Sequence, residues 1–307
     1  MNLKGQHILS TKQFDKKSLL GLFAEAKKME KVVDSAKKGK QSKILEGKIM
    51  ATLFYEPSTR TRFSFEAAML RLGGRVLSNA DMLMTSSAKK SETLFDTGKV
   101  VSQMADVIAM RHSQAEALHE LAAGSDVPVI NCGNGPEDHP TQALLDAYTI
   151  WKELGKIDGL TIGVIGDLKH SRVLHSQVLL FRQFKGVKFV FISPKELALP
   201  LDLKEGIDYV ESDDLAKVIG ELDVISVNRI QEERFASQKE ADKYRGCFIV
   251  QVEFLKKAKR DALILCPLPR REELPVEVDK DFRAKYFEQV GNGVAVRMAL
   301  LKEVLGA

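Results

Sequence analysis

A cluster of hydroxyl and guanidinium groups follows an apolar run of the sequence, residues 49–54. The run is suited to a buried strand, and the residues after the cluster predict a helix that Ser58 caps and Gly73-Gly74 ends. A helix N-terminus carries partial positive charge, so arginines there are unfavourable unless an anion lies in front of them. The cluster therefore predicts a phosphate or carboxylate site, against the alternative of a solvated, slightly strained helix start. Its members are Ser58, Thr59, Arg60, Thr61 and Arg62.

Polar residues also end another predicted strand and begin another predicted helix. Arg111 directly follows the apolar run 107–110, where an arginine either lines a pocket or meets solvent. His139 and Gln142 lie three residues apart at a predicted helix start and can face the same way. A neutral histidine can donate to a developing oxyanion, and a glutamine amide can hold a small amide group. The alternative for a lone histidine at this position is a structural role.

The second half of the chain places arginines where carboxylates could bind. Residues 163–172 follow a predicted strand and open a helix, but their glycine spacing does not match a dinucleotide fingerprint. Arg172 and Arg229, the latter close to Gln231, are candidates for holding a dicarboxylate, because arginine forks match carboxylates in bidentate geometry. Pro267 and Pro269 lack N–H groups, so nearby carbonyls could accept bonds from an NH group of a ligand.

Two lysine-containing segments contribute to the net charge of +4 that the 307 residues carry. The stretch 27–48 is typical of a solvated helix face plus a loop, and no aromatic interleaving favours nucleic acid there. The loop 85–93 includes Ser86 and Lys90, which could contact an anion. By itself, however, this loop is typical of a mobile surface segment.

Buried strands and helical patterns must position these residues, and they alternate along the chain. This alternation predicts an α/β fold with two similar-sized domains, each a parallel sheet flanked by helices. The domains are predicted at 1–150 and 151–285, with a helix at about 286–307 that packs back on the first. The helix after the cluster is expected to have one buried face, formed by Phe63, Ala67 and Leu70 with Met69 and Leu72. The predicted strands are 49–54, 106–110, 127–131, 160–166, 187–192, 223–227, 247–251 and 262–266.

Composition excludes several classes of protein. The sequence shows no signal peptide and no apolar run long enough to span a membrane. Three cysteines, far apart and odd in number, form neither a metal-ligand spacing nor a disulfide framework. We therefore expect a cytoplasmic protein that binds neither membrane nor nucleic acid and carries no metal.

Three motifs in a fixed order make the sequence specific. The segments 58–62, 139–142 and 267–270 together resemble the carbamoyltransferase family. Residues 166–172, 229–231 and 89–90 resemble the aspartate branch of that family, and the similarity extends over essentially the whole chain. The ornithine branch would be expected to show a Ser-Met-Gly motif late in the chain, which is missing here.

The resemblance implies transfer of the carbamoyl group of carbamoyl phosphate to the α-amino group of L-aspartate, an early step of de novo pyrimidine biosynthesis. The amine attacks the carbonyl carbon, a tetrahedral oxyanion forms and phosphate leaves, without a cofactor or a covalent enzyme intermediate. Catalysis then depends on positioning and on charge stabilisation. The proton acceptor is left open, and the leaving phosphate is one hypothesis.

Residue roles follow from the resemblance position by position. The groups implied to bind carbamoyl phosphate are Ser58, Thr59, Arg60, Thr61, Ser86, Lys90, Arg111, His139, Gln142, Pro267 and Leu268. The groups implied to bind aspartate are Lys90, Arg172, Arg229 and Gln231. Those implied to act in catalysis are Arg60, Thr61, Arg111 and His139.

The family also implies an assembly. Ser86 and Lys90 are implied to come from a neighbouring subunit, which makes the active unit a homotrimer with shared sites. The resemblance leaves open whether regulatory chains bind these trimers, and the absence of a zinc motif would assign any such metal to a partner. Cys266 and Ser91 depart from the residues usual at their positions, and we expect the Cys266 change to be tolerated because the nearby ligand atoms are backbone carbonyls.

Other functions compete with this interpretation. A carbamoyltransferase for ornithine or a related amine is the nearest, but Arg172 and Arg229 argue against a cationic second substrate. A nucleotide-binding protein is disfavoured by the glycine spacing of residues 163–172. A catalytically silent relative is disfavoured because the motif positions are intact.

Overall fold

The chain forms two compact units in the computed structural model, which describes residues 2–85, 91–135 and 137–307. The first unit consists of Met1–Leu145 together with Val290–Ala307, and the second is Asp146–Gln289. Each boundary falls inside a helix, one spanning Pro140–Leu154 and the other Tyr286–Leu305. Two helices therefore contribute residues to both units.

The first unit is built on a parallel sheet of four strands. These are β1 (Ile49–Phe54), β2 (Arg75–Asn79), β3 (Val107–His112) and β4 (Val129–Asn134), in the order β2-β1-β3-β4. Its helices are α1 (Lys16–Lys37), α2 (Thr59–Arg71), α3 (Met82–Thr85), α4 (Leu94–Ser102), α5 (Ala117–Gly124) and parts of α6 (Pro140–Leu154) and α12 (Tyr286–Leu305).

The second unit is built on a parallel sheet of five strands. These are β5 (Thr161–Ile165), β6 (Lys188–Ile192), β7 (Asp208–Ser212), β8 (Val224–Val227) and β9 (Leu263–Leu265), in the order β7-β6-β5-β8-β9. Its own helices are α7 (Arg172–Phe181), α8 (Leu201–Lys204), α9 (Leu215–Val218), α10 (Gln238–Ala241) and α11 (Val252–Leu255).

Central strands of both sheets are almost wholly buried. β3 buries every residue from Val107 to Met110, and all of β8 is buried. Apolar runs of this kind form strands that helices cover on both faces, which is the usual environment of a parallel sheet. The predicted α/β fold with two parallel-sheet domains is thus confirmed. Among the described residues, every helix is too short or too polar to cross a membrane.

Three details of the predicted elements are wrong. The segment 247–251 is not a strand: Val250 is buried, but its N–H bonds to Glu273 O outside any sheet. The edge strands β2 and β7 were not predicted, because most of their residues are at least partly exposed and form no buried apolar run. Helix α2 buries Ser64, Phe65, Ala68 and Met69, with Thr61 in its first turn, and it exposes two residues of its expected apolar face, Phe63 and Leu70.

Candidate active site

The predicted anion site of the first unit lies at the start of α2. Ser58 occupies the N-cap position with an extended backbone, φ −159° and ψ 105°, but its hydroxyl makes no capping bond. A hydroxyl that does not cap the helix is available to a ligand that approaches the first-turn amides. Thr59 and Arg60 are exposed beside it, whereas Thr61 is only 5% exposed.

Arg62 does not join this group, although the sequence analysis included it in the anion site. Its Nη1 donates to Ser78 Oγ at 3.1 Å and lies 3.7 Å from Glu66 Oε1. Ser78 Oγ in turn donates to Glu66 Oε1 at 2.7 Å. Arg62 therefore ties α2 to the edge strand β2, and its charge has a carboxylate partner.

Arg111 reaches the same edge of the sheet from the neighbouring strand. β1 and β3 pair in register with Phe54 beside Arg111, and Tyr55 N donates to Arg111 O at 2.9 Å. The Arg111 Nε lies 3.3 Å from Glu56 Oε2, and both side chains are largely buried. Glu56, which the sequence analysis gave no role, thus holds the guanidinium near the end of β1.

His139 connects the two polar helix starts of this unit. It immediately precedes α6, is 4% exposed, and places Nε2 3.4 Å from Thr61 Oγ1. Gln142 lies in the first turn of α6, where its backbone N–H bonds to His139 O at 3.0 Å. The start of α2 and the start of α6 therefore meet at a hydroxyl and an imidazole, as a carbonyl-polarising pair requires.

Two predicted site residues of the first half, Ser86 and Lys90, lie outside the described residues. Their segment follows α3 directly in the chain.

In the second unit, the ends of β5 and β8 lie side by side. Ile165 pairs with Val227, and Asn228 N donates to Ile165 O at 2.8 Å. Asp167, fully buried just beyond β5, accepts from Gln231 N at 3.1 Å. Through this bond a carboxylate that the sequence analysis did not single out fixes the loop of the predicted aspartate-binding residues.

Arg229 is held in a fork by a carboxylate four residues further on. Its Nη1 and Nη2 donate to the two oxygens of Glu233 at 2.9 and 2.5 Å, and Nη1 also donates to Ile230 O. Burial opposes the charge of Arg229, but the bonds to Glu233 outweigh it and raise the pKa of the guanidinium. The spacing of four residues between Arg229 and Glu233 is the feature of the sequence from which this pair could have been predicted.

The remaining predicted residues of this unit lie at other strand ends. Arg172 is the first residue of α7 and is half-buried. Pro267 and Leu268 follow β9 and are half-buried, with Leu268 at φ +56°. The preceding Cys266 is 2% exposed, and burial raises the pKa of its thiol to about 12, so the sulfur stays protonated.

Each unit thus collects its own share of the predicted groups. In the first, the described cationic, hydroxyl and imidazole groups suit a phosphate and the carbonyl oxygen attached to it. In the second, Arg172, Arg229 and Gln231 follow the neighbouring strands β5 and β8, where ligands of parallel sheets bind, and they suit carboxylates. The described residues contain no cluster of three or more potential metal ligands.

Known proteins resemble the chain over nearly all of its length. Residues 6–152 match the family model for the aspartate/ornithine carbamoyltransferase carbamoyl-P binding domain, and residues 158–304 match that for the Asp/Orn binding domain. The chain is 46% identical to the chloroplastic aspartate carbamoyltransferase of Arabidopsis thaliana, covering 97% of this chain and 77% of that protein. Identity to the aspartate carbamoyltransferase catalytic subunit of Methanocaldococcus jannaschii is 44%, over 98% of both.

A solved structure with both substrates of such a reaction has the same fold. It is aspartate transcarbamoylase from Trypanosoma cruzi in complex with carbamoyl phosphate and aspartate, with a TM-score of 0.92 and 37% identity. The match covers 99% of this chain and 98% of that one. Because both domain models of the family match its sequence, and a solved member has its fold, the chain belongs to the aspartate/ornithine carbamoyltransferase family.

Proposed function

We propose that this chain transfers the carbamoyl group of carbamoyl phosphate to the α-amino group of L-aspartate. The products are N-carbamoyl-L-aspartate and phosphate, and the reaction is an early step of de novo pyrimidine biosynthesis. The observation that carries the proposal is the contact of Thr61 with His139, which joins a phosphate-type helix start to a carbonyl-polarising imidazole. The relatives named above supply the choice of aspartate.

Carbamoyl phosphate binding belongs mainly to the first unit. The phosphate takes the hydroxyls and amides at the start of α2, with the charge of Arg60 and of Arg111. Thr61 and His139 donate to the carbonyl oxygen, and Gln142 holds the amino group. The carbonyls of Pro267 and Leu268 accept from the same amino group, while Ser86 and Lys90 complete the site from another subunit.

Aspartate binding belongs to Arg172, Arg229 and Gln231 of the second unit and to Lys90. Two guanidinium groups suit the two carboxylates, and Glu233 orients the Arg229 fork before the substrate arrives. Attack of the amine moves charge onto the carbonyl oxygen, where Thr61, His139 and Arg111 stabilise it. Phosphate then leaves with its charge matched by Arg60, without a covalent intermediate.

Phosphate release from carbamoyl phosphate, with L-aspartate and L-ornithine offered separately, tests the proposal. We expect release with aspartate and none above background with ornithine, because an ornithine side-chain amine would meet arginines. The variants Arg229→Gln and Arg172→Gln should raise KM for aspartate at least tenfold, or about 1.4 kcal/mol, with a smaller effect on carbamoyl phosphate. Turnover with ornithine alone would overturn the second-substrate assignment, and an inactive wild type would overturn the function.

The active unit is a homotrimer in this proposal, and an exposed apolar surface supports it. Five apolar side chains on three consecutive elements are each about half exposed or more. They are Phe63 and Leu70 of α2, Leu77 of β2, and Leu83 and Met84 of α3. Apolar exposure on consecutive elements of one unit is typical of an interface between subunits. Because α3 runs directly into the segment with Ser86 and Lys90, an interface here brings that segment to a neighbouring site.

Mixed assemblies test the sharing of sites. Lys90→Gln and Arg229→Gln are each expected to show little turnover alone when aspartate is held near the wild-type KM. After the two are unfolded and refolded together, sites that combine an intact loop from one chain with an intact body from the other should restore measurable turnover. Each variant refolded alone is the control. No recovery, despite mixed assemblies seen by native mass spectrometry, would rule out shared sites.

The cytoplasm is the compartment that we assign to the enzyme. All three cysteines are free, and Cys247 exposes its thiol. Free exposed thiols persist in reducing compartments, whereas oxidising ones favour disulfides. Subcellular fractionation of the native host is the direct test, and recovery in a membrane or secreted fraction would contradict the assignment.

A further inference from the structure

A buried amide network connects helix α12 to the turn that follows β9. Asp146, fully buried on α6, accepts at Oδ2 from Gln177 Nε2 and at Oδ1 from Gln289 Nε2, each at 2.5 Å. The other end of the Gln289 amide, Oε1, accepts from Cys266 N at 3.2 Å. Gln289 is 2% exposed and Gln177 is 3% exposed, so water does not compete for these bonds.

Gln289 occupies a special place in this network because its amide has one fixed orientation. The backbone N–H of Cys266 can only donate, so the oxygen of Gln289 must face it, and the NH₂ group of Gln289 then faces Asp146. Gln177 also bonds Asp146, but it makes no bond to the turn after β9 among the described residues. The carboxylate is thereby linked to the backbone of the turn through Gln289.

The turn itself carries the carbonyls that the proposed function assigns to the amino group of carbamoyl phosphate. Pro267 has no N–H, and so Cys266 N is the last backbone donor before the carbonyl of Pro267. A bond to this donor holds the backbone where the turn starts, and the ring of Pro267 restricts φ at the next residue. Leu268 also adopts φ +56°, a conformation that residues with a Cβ rarely choose and that the surroundings must maintain.

We infer that Gln289 is a positioning residue for substrate recognition: it aims the Pro267 and Leu268 carbonyls at the amino group of carbamoyl phosphate. The inference rests on the proposed function. Gln289 does not touch the substrate, and its effect is confined to the part of the ligand that carries N–H donors. Discrimination between an amino group and a methyl group at that position therefore depends on the amide of Gln289.

Acetyl phosphate is the probe that isolates this role, since a methyl group replaces the amino group and the phosphate and carbonyl oxygen are unchanged. The measurement is the KM of carbamoyl phosphate and the inhibition constant of acetyl phosphate, determined for each variant in one aspartate-dependent assay. Gln289→Met keeps the side-chain volume but removes both amide bonds. We expect this variant to raise the KM of carbamoyl phosphate about tenfold, while the inhibition constant of acetyl phosphate changes by less than about twofold.

Two further variants keep the test decisive. Gln177→Met removes the matching bond to Asp146 without touching the turn, so the ratio of the two constants should stay at the wild-type value. Gln289→Asn keeps an amide but is one methylene too short to reach both partners, so the same change in the ratio is expected. This variant provides the test if Gln289→Met does not fold.

The outcomes separate this inference from the function on which it rests. A folded, active Gln289→Met or Gln289→Asn enzyme with an unchanged ratio would overturn the positioning role. An equal loss of both ligands in those variants would overturn it as well, because it would reveal general damage. An inactive wild type would overturn both the proposed function and this inference.

Discussion

At the scale of single residues, charge pairs set the orientation of the candidate substrate-binding arginines. Arg229 is forked by Glu233, and Arg111 lies against Glu56. A carboxylate beside a binding arginine removes rotamer freedom before the ligand arrives, which lowers the entropic cost of binding. It also competes with an anionic ligand for the guanidinium, so the pair must leave some N–H donors for the substrate.

Replacing Glu233 should therefore weaken the binding of aspartate more than the binding of carbamoyl phosphate. Glu233→Gln removes the negative charge that faces the Arg229 guanidinium. We expect KM for aspartate to rise about fivefold with kcat little changed, because a half-exposed ion pair contributes about 1 kcal/mol or less. Steady-state kinetics with each substrate varied would measure it. The exposed Glu240 gives the control, Glu240→Gln, which should behave as wild type. An unchanged KM for aspartate in Glu233→Gln would contradict an orienting role.

Residues that carry a positive charge or a hydroxyl were easier to predict from the sequence than the carboxylates that contact them. Arg111, His139 and Arg229 stand at strand ends and helix starts, and their positions follow from local pattern. Glu56 and Asp167 owe their roles to a strand pairing and a turn that bring distant segments together, so no spacing in the chain predicts them. The carried-over roles of all the site residues stay predictions, and those of Ser86 and Lys90 concern positions outside the described residues.

At the scale of elements, the close approach of β5 and β8 depends on one glycine. Gly166 directly follows β5 at φ +116°, and a Cβ built there would lie 1.9 Å from Asn228 O. The next residue after Asn228 is Arg229. No side chain fits without separating the two strand ends, and the loop with Arg229 would move with them.

Gly166→Ala should damage both stability and aspartate binding. We expect about 3 kcal/mol less stability and a KM for aspartate raised more than tenfold, because the methyl group meets backbone rather than a flexible side chain. The matched control is Gly159→Ala before β5: it also has positive φ, +72°, but nothing lies within 4 Å. That variant should lose only about 1 kcal/mol, the cost of the backbone conformation, and keep its KM. Denaturant unfolding and steady-state kinetics of both variants provide the comparison. Equal KM values for aspartate in the two variants would show that separating the strand ends does not move Arg229.

Edge and central strands differed in how well the sequence predicted them. β1, β3, β5 and β8 are buried on both faces, and their apolar runs were recognised. The edge strands β2 and β7 are largely exposed, and what makes them strands is the pairing partner rather than their own composition. Conversely, residues 247–250 are largely apolar but lie outside the ladder, and Val250 is buried there because burial against a core does not require a strand.

At the scale of the whole molecule, partly buried histidines make stability depend on pH. His7 Nδ1 accepts from Val129 N, and His112 Nδ1 accepts from Gln114 N, each at 3.0 Å. Burial lowers the pKa of both below the ordinary value of 6.5. Near that pH the unfolded chain binds more protons than the folded chain, so the contribution to stability is full above the unfolded pKa and is lost as the pH falls through the folded pKa.

The urea midpoint should therefore be lower at about pH 5.5 than at about pH 7.5, a window in which most carboxylates do not titrate. In the double variant His7→Asn, His112→Asn, an amide oxygen takes over the acceptor role and the drop should shrink. It should not vanish, because burial also lowers the pKa of His175. The exposed His119 supplies the control, and His119→Asn should keep the full drop. A double variant with the wild-type drop would refute this origin of the pH dependence.

The proposed trimer predicts the effect of a charge on α2. Leu70, 55% exposed, lies on the apolar surface of the first unit, and Leu70→Glu should shift the assembly to monomers and reduce turnover by removing shared sites. Light scattering coupled to gel filtration measures the mass directly. Leu201→Glu, at a 79% exposed leucine of the second unit, should leave the mass unchanged. A Leu70→Glu protein with the mass of the wild type would place the interface elsewhere.

The return of the chain to its first unit has a consequence for the order in which the protein is made. Val290–Ala307 is synthesised after the second unit, and Arg297 within it donates to Ser64, 233 positions earlier, and to Thr141, 156 positions earlier. The second unit, an unbroken segment, can complete its internal contacts on the ribosome, whereas the first must wait for α12 to emerge. The first unit is therefore begun before the second and completed after it, and until then its apolar surfaces need protection from aggregation.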